Sequence, residues 1–193
     1  MKGWRARAAA VAVALGLAGC GGGGSQPAQR PATPAPVPAS GAMAITSGAV
    51  RPGAALPARY TCDGPDVSPP MAFTGVPRHA AQLALVLIDS DARAGAGPFL
   101  LWVVFGVPRD VVVEPENELA PGALQAATSF GRARYLGPCP PPGRARHYRL
   151  ELYAERTRLL MLTAGEPGDQ ALQAIRAGAT TSAVLPFTYA RRG

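Results

Sequence analysis

Proline decides most of what this chain can become. Pro57, Pro65, Pro69, Pro70, Pro77, Pro108, Pro115 and the proline-rich run 138–142 cut residues 43–193 into short pieces. Each proline fixes φ and removes a backbone donor, so long helices do not survive such spacing. What lies between the prolines reads as strand. "MAITSGAV" (43–50), "LALVLIDSD" (83–91), "LLWVVFGV" (100–107) and "HYRLELYA" (147–154) are rich in Val, Ile, Leu, Tyr and Phe. The last sets Tyr148, Leu150, Leu152 and Ala154 against Arg149, Glu151 and Tyr153, which predicts a strand with one buried face. The two middle segments are apolar throughout and predict central strands covered on both sides. Only "GDQALQAIRAGA" (168–179) carries helical punctuation, with Asp169 near an N-cap position, Leu172 and Ile175 three apart, and Gly178 as a stop. The expected domain is mostly β, with long stiff loops and a C-terminal helix.

The N-terminus does not belong to that domain. Lys2, Arg5 and Arg7 form a basic region, and Ala8 to Leu17 an apolar one too short to span a bilayer. Residues 1–19 read as a secretion signal. Leu17-Ala18-Gly19-Cys20 resembles a bacterial lipobox, in which the Cys20 thiol is acylated, by palmitate among other chains, and becomes the first mature residue; a plain secretion signal with a chance cysteine is the alternative. Gly21 after the cysteine resembles lipoproteins sorted to an outer membrane where the organism has one. Acylation would anchor a soluble domain, each buried methylene contributing roughly 0.8 kcal/mol. Residues 20–42, dominated by Gly, Pro, Ala and Ser, read as the lipidated cysteine and a tether, flexible at its glycine end and semi-extended after it. Residues 43–193 are one domain's worth of chain.

Charge narrows the partners. The formal +7 falls to +4 once Lys2, Arg5 and Arg7 leave with the signal, and every remaining cation is arginine. These arginines are scattered rather than clustered, so no nucleic-acid groove is expected. Cysteine usage fits export. Besides Cys20 the chain has only Cys62 and Cys139, and an oxidising compartment permits either a disulfide or two buried thiols. A bond over that separation would remove roughly 4 kcal/mol of unfolded-state entropy.

Several blocks, in order, carry a family resemblance. "YTCDGPDVSPPMAFTGVP" (60–77), "LALVLIDSDAR" (83–93), "LWVVFGVP" (101–108), "SFGRARYLGPCPPPG" (129–143) and "RHYRLELYA" (146–154) resemble blocks of the phosphatidylethanolamine-binding protein family, most closely its bacterial, Raf-kinase-inhibitor-like branch. The resemblance implies a large central β-sheet packed on a smaller sheet, with a C-terminal helical segment. It implies a small surface pocket for an anion such as phosphate or a phospholipid headgroup, walled by a proline loop whose fixed φ pre-forms it. It also brings Cys62 and Cys139 into the two blocks nearest that pocket, where a bond would brace it. A rigid proline loop with no ligand is the plainer alternative.

Residue by residue, the implied pocket comprises Asp89, Asp91, Leu101, Trp102, Gly137, Pro138, Arg146 and Tyr148. Asp89 and Asp91 match the family's aspartate pair, with Ser90 in place of the proline between them. Gly137, Pro138 and Tyr148 match the loop and the strand. Leu101 stands where the family has a histidine, and Arg146 where it has the second, because this chain reads Arg146-His147-Tyr148 in place of His-Arg-Tyr. Leucine donates nothing to a phosphate. Three arrangements stay open: Arg146 turns inward and grips an anion with its forked donors, His147 reaches the pocket through a bulge, or Arg146 merely pairs with Asp89 or Asp91.

The resemblance and the lipobox together imply a lipid-anchored cell-envelope binding protein, on the periplasmic face of the outer membrane in a Gram-negative organism. The alternative is a protein-interaction module, inhibitor-like, whose ligand pocket has lapsed and whose partner is another envelope protein. An enzyme is not expected. His79 and His147 are the only histidines, no G-x-S-x-G elbow or phosphate loop occurs, and Ser90 sits between two aspartates that would raise its hydroxyl pKa. No cofactor is implied. Asp89, Asp91 and His147 make only a thin metal set, since carboxylate pairs at strand ends more often bind loop amides.

Overall fold

The computed structural model describes residues 41–191. The signal, Cys20 and nearly all of the tether fall outside them. The described residues build three layers from eight strands and one α-helix. A three-stranded sheet has the order β1 (Ala44–Thr46), β2 (Met71–Thr74), β5 (Val113–Glu114). A five-stranded sheet has the order β6 (Leu124–Gln125), β4 (Gly97–Val107), β3 (Gln82–Ala94), β7 (Arg146–Glu155), β8 (Ala179–Tyr189). All strand pairs within the two sheets are antiparallel. The helix α1 (Gly168–Gly178) lies on the large sheet's other face.

Alternation along the strands divides the core. Leu83, Leu85 and Leu87 of β3 pack toward the small sheet with Leu150, Leu152 and Ala154 of β7. Ala84, Val86 and Ile88 point the other way, onto Ala171, Leu172 and Ile175 of α1. Burying each large apolar side chain contributes about 1.5–3 kcal/mol, and β3 does so on both faces from Leu83 to Ile88, which is why that run is apolar throughout. The helix buries its Leu172/Ile175 stripe; Pro167 occupies the N-cap without a side-chain bond, and Asp169 falls inside the first turn rather than at the cap.

The expectation of one buried face on 147–154 needs correction. Every residue from Leu150 to Glu155 is buried. The second face is covered because α1 lies over it and Arg149 and Arg176 reach Glu151, which also accepts a hydrogen bond from the Tyr153 hydroxyl. The segment 43–50 yields only a three-residue strand. β8 was not legible as a strand because Pro186 sits inside it; the strand tolerates proline at the sheet edge. Residues 53–56 lie along that edge, where the Gly53 N–H donates to the Pro186 carbonyl, the Leu56 N–H to the Thr188 carbonyl and the Thr188 N–H to the Ala54 carbonyl.

One irregularity positions the site. Between β3 and β4 the register passes from Leu87↔Trp102 to Ile88↔Leu100, so Leu101 is an extra residue on β4. This β-bulge turns both Leu101 and Trp102 into the core between the sheets.

Candidate functional site

The site forms where β3 ends and β7 begins. Their register, Asp89↔Tyr148, brings the Asp89-Ser90-Asp91 stretch against Arg146 to Arg149. The Arg146 guanidinium lies 3.2 Å from Asp89. Asp91 accepts a 2.8 Å bond from the His147 backbone N–H, and its carboxylate is 3.0 Å from the His147 ring. Arg149 donates to the Ser90 hydroxyl at 3.2 Å, and Asp89 accepts the Asp91 N–H at 2.9 Å. The environments of the two aspartates differ. Burial pushes the Asp89 carboxyl up, against the opposing pull of the Asp91 N–H and Arg146. The exposed Asp91 is held down, first by the His147 N–H and then by the His147 ring.

Tyr148 stands beside this pair. Its ring stacks on Phe187 at 5.8 Å, and the residue is only 2 % exposed. Its hydroxyl has no hydrogen-bond partner within the protein, and burial raises its pKa well above the usual tyrosine range. A buried donor left unpaired costs about 1–3 kcal/mol.

The proline loop forms a wall, and the segment 60–66 holds it. Cys62 and Cys139 are bonded, with Cα atoms 5.4 Å apart and a sequence separation of 77. The Gly137 N–H donates to Asp66 at 2.6 Å, and the Cys62 N–H to the Pro138 carbonyl at 3.4 Å. The Tyr135 hydroxyl donates to the Tyr60 carbonyl at 2.8 Å. Only glycine fits at 137, because a Cβ there would lie 2.3 Å from the Tyr60 carbonyl oxygen. The loop is also tied to the bulge, through the Leu136 N–H and the Leu101 carbonyl at 3.1 Å.

Next to the wall, Asp63, Gly143, Tyr189 and Arg191 line an open cavity of about 1030 Å³. Asp63 accepts from the Tyr189 hydroxyl at 2.5 Å and from Arg191 at 2.8 Å. The Tyr189 bond is the main reason its carboxyl sits below the usual range, with Arg191 adding to it. Tyr189 is the cross-strand neighbour of Arg146, so cavity and ion pair adjoin.

Of the sequence-derived residues, the structure brings together Asp89, Asp91, Arg146 and Tyr148, and anchors Gly137 and Pro138 in the wall. Leu101 and Trp102 are core residues. Trp102 donates to Gln125 at 2.7 Å, meets the Tyr135 ring edge-on, and lines a separate recess of about 370 Å³. The Arg146 guanidinium pairs with Asp89. No bulge interrupts the β7–β8 register between Arg146 and Ala154, so His147 stays on the strand and turns to Asp91. Sequence reasoning missed Asp63, Asp66, Tyr189 and Arg191. The two aspartates lay in the quoted Cys62-Asp63-Gly64-Pro65-Asp66 block, whereas nothing local marked Tyr189. Among the described residues no cluster of three His, Cys, Asp or Glu could hold a metal ion.

Two stacked antiparallel sheets, a helix on the outer face of the larger one and a polar corner at the strand ends define a two-sheet β fold. The family model described as Phosphatidylethanolamine-binding protein matches residues 46–190, and the chain belongs to that family. Relatives include "Putative lipoprotein LppC" of Mycobacterium tuberculosis, 36% identical over 155 residues, covering 80% of this chain and 75% of that one. A UPF0098 protein of Methanothermobacter thermautotrophicus is 38% identical over 143 residues, covering 72% and 91%. Among solved structures, a phosphatidylethanolamine-binding protein homolog from Chlamydia trachomatis superposes with a TM-score of 0.71 at 31% identity, covering 79% of this chain and 99% of that one. YbcL of Escherichia coli gives 0.73 at 25% identity, covering 78% and 99%.

Proposed function

We propose that this protein is a lipid-anchored binding protein of the bacterial cell envelope that takes a small anion, inorganic phosphate or a phospholipid headgroup, at the Arg146–Tyr148 corner. The observation that carries the reading is the buried, unpartnered Tyr148 hydroxyl beside a guanidinium standing where the family has a histidine. An anion there would accept from both. Arginine's planar fork suits a phosphate better than a single ring nitrogen does, and Asp89 at 3.2 Å holds the fork in place. The disulfide and the Asp66–Gly137 bond keep the wall formed without ligand, so binding orders little. Support for the anchor is the Leu17-Ala18-Gly19-Cys20 motif together with the name of the mycobacterial relative, a lipoprotein. Among the described residues no helix is long and apolar enough to cross a membrane. Binding, not catalysis, is the proposal, because the Ser90 hydroxyl is met by a guanidinium rather than by a base.

Thermal unfolding of the mature chain, titrated with phosphate, phosphoethanolamine and a sulfate control, tests this. Saturable stabilisation by phosphate is expected, reaching about 2.7 kcal/mol at a hundredfold excess over Kd, and lost in Arg146→Ala. No shift at millimolar ligand would overturn it and move the protein to the interaction-module reading.

A further inference from the structure

The opposite end of the large sheet carries a second surface of another chemical kind. There β3 begins, β4 and β7 end, and the loops 76–81, 106–112, 120–124 and 156–162 meet. At its tip Leu160 is 82 % exposed and Met161 92 %. Arg156 and Arg158 immediately precede them and are themselves exposed. Arg78 and Arg109 are exposed on the neighbouring loops, which are tied together by a 2.6 Å bond from Arg109 to the Arg78 carbonyl. Among the described residues none of these four arginines enters an ion pair. The acids nearby are Asp110, which is exposed, and Glu155, which is sealed beneath α1. Leu159 and Leu162 do not share that exposure; with Arg158 and Leu160 they line an open cavity of about 390 Å³ that Phe105 and Pro121 also border.

Water is a poor environment for two large apolar side chains at the apex of a loop. A protein interface needs roughly 800 Å² per partner, far more than a two-residue tip offers. A lipid surface needs only an apolar wedge with cations behind it. The position of the chain's entry agrees. The Ala42 carbonyl abuts Gly75, where an added Cβ would lie 2.3 Å from it, and Gly75 leads directly into the loop bearing Arg78. The tether therefore joins the domain at the same end as the tip.

We propose that this end docks on an anionic membrane surface. Leu160 and Met161 enter the boundary between headgroups and acyl chains, Arg156 and Arg158 meet lipid phosphates beside them, and Arg78 and Arg109 add to the attracting field. Docking would set the Arg146 corner facing away from the membrane that carries the anchor, toward free anions or a second surface. The inference extends the envelope reading but does not depend on acylation of Cys20.

The test uses the mature chain from residue 20 with Cys20→Ser, which removes the acyl attachment, in cosedimentation with vesicles of phosphatidylglycerol and phosphatidylcholine or of phosphatidylcholine alone. Salt-sensitive binding to the anionic vesicles is expected. Leu160→Asp combined with Met161→Asp should weaken it at least about tenfold, and Arg158→Ala about fivefold. Phosphate should not compete. Because these side chains face solvent, each variant should keep the wild-type unfolding temperature, which separates docking from folding and leaves the Arg146 test intact. Three results would overturn the proposal: no binding to anionic vesicles, binding unchanged in the double variant, or self-association that the double variant abolishes while vesicles stay unbound.

Discussion

Strands β3 and β7 run side by side in unbroken register from Gln82↔Glu155 to Asp89↔Tyr148, and polar groups sit at both ends of that ladder. At the Asp89 end each of the three side chains on β3 has found one on β7: Asp89 with Arg146, Ser90 with Arg149, Asp91 with His147. At the other end Gln82 and Glu155 lie directly opposite and have not. Both Glu155 oxygens and the Gln82 amide nitrogen are buried without a partner. Burial alone pushes the Glu155 carboxyl up to about 7. The difference is one of access. The Asp89 end opens onto solvent and long arginines can reach it, whereas α1 closes over the Glu155 end and brings its last turn, Gly178, against the carboxyl. A helix C-terminus carries partial negative charge, a poor neighbour for a carboxylate. One end of the strand pair is built to hold charge and the other to hold a proton.

The largest test breaks the brace on the charged end. Replacing Cys62 and Cys139 with alanine should cost roughly 4 kcal/mol in urea unfolding, from loop-closure entropy over 77 residues. Hydrogen exchange should then rise in 60–66 and 135–143 while the amides of Ala84 and Val86 stay protected. Uniform loss of protection would mean the two ends are one cooperative unit.

The next test concerns the protonated end. Between the ordinary glutamate value of 4.5 and about 7 the folded chain binds a proton that the unfolded chain releases, so stability should fall as pH rises through that window. Glu155→Gln should flatten this dependence, and above pH 7 should be more stable than the parent by at most on the order of 3 kcal/mol. Unfolding curves from pH 4 to 8 measure both; an unchanged slope would show that Glu155 has a partner in solution.

The smallest effect belongs to Tyr148. Tyr148→Phe removes an unpartnered buried hydroxyl, so the free protein should gain about 1 kcal/mol, the low end of the cost of an unpaired donor, while its stabilisation by phosphate diminishes. A large loss without ligand would reveal a bound water already satisfying the hydroxyl.

Much of this was legible locally. The apolar runs 83–91 and 100–107 announced central strands because burial on both faces leaves no room for polar alternation. Leu172 and Ile175 announced α1, since a helix on a sheet needs only one stripe. Within 147–154 the same logic misread Glu151, whose charge suggested solvent, because its partners Arg149 and Arg176 come partly from another element. Glu155 carried no signal at all, since nothing in "LYAERT" tells a buried carboxyl from an exposed one. At the site, motif matching found Asp89, Asp91, Arg146 and Tyr148, yet placed Leu101 and Trp102 beside them; the bulge that turns both into the core is a property of strand pairing and not of either residue.

By itself, then, the sequence determined what depends on neighbours along the chain: proline-limited strands, one amphipathic helix and the family blocks. Tertiary structure alone decided which polar groups are paired. Pairing depends on distances of a few ångströms between residues as far apart as Asp63 and Arg191, and those are set by register, the bulge and the closing of α1. For the same reason, only the folded chain puts the Asp89–Arg146 corner at one end of the sheet and Leu160 and Met161 at the other.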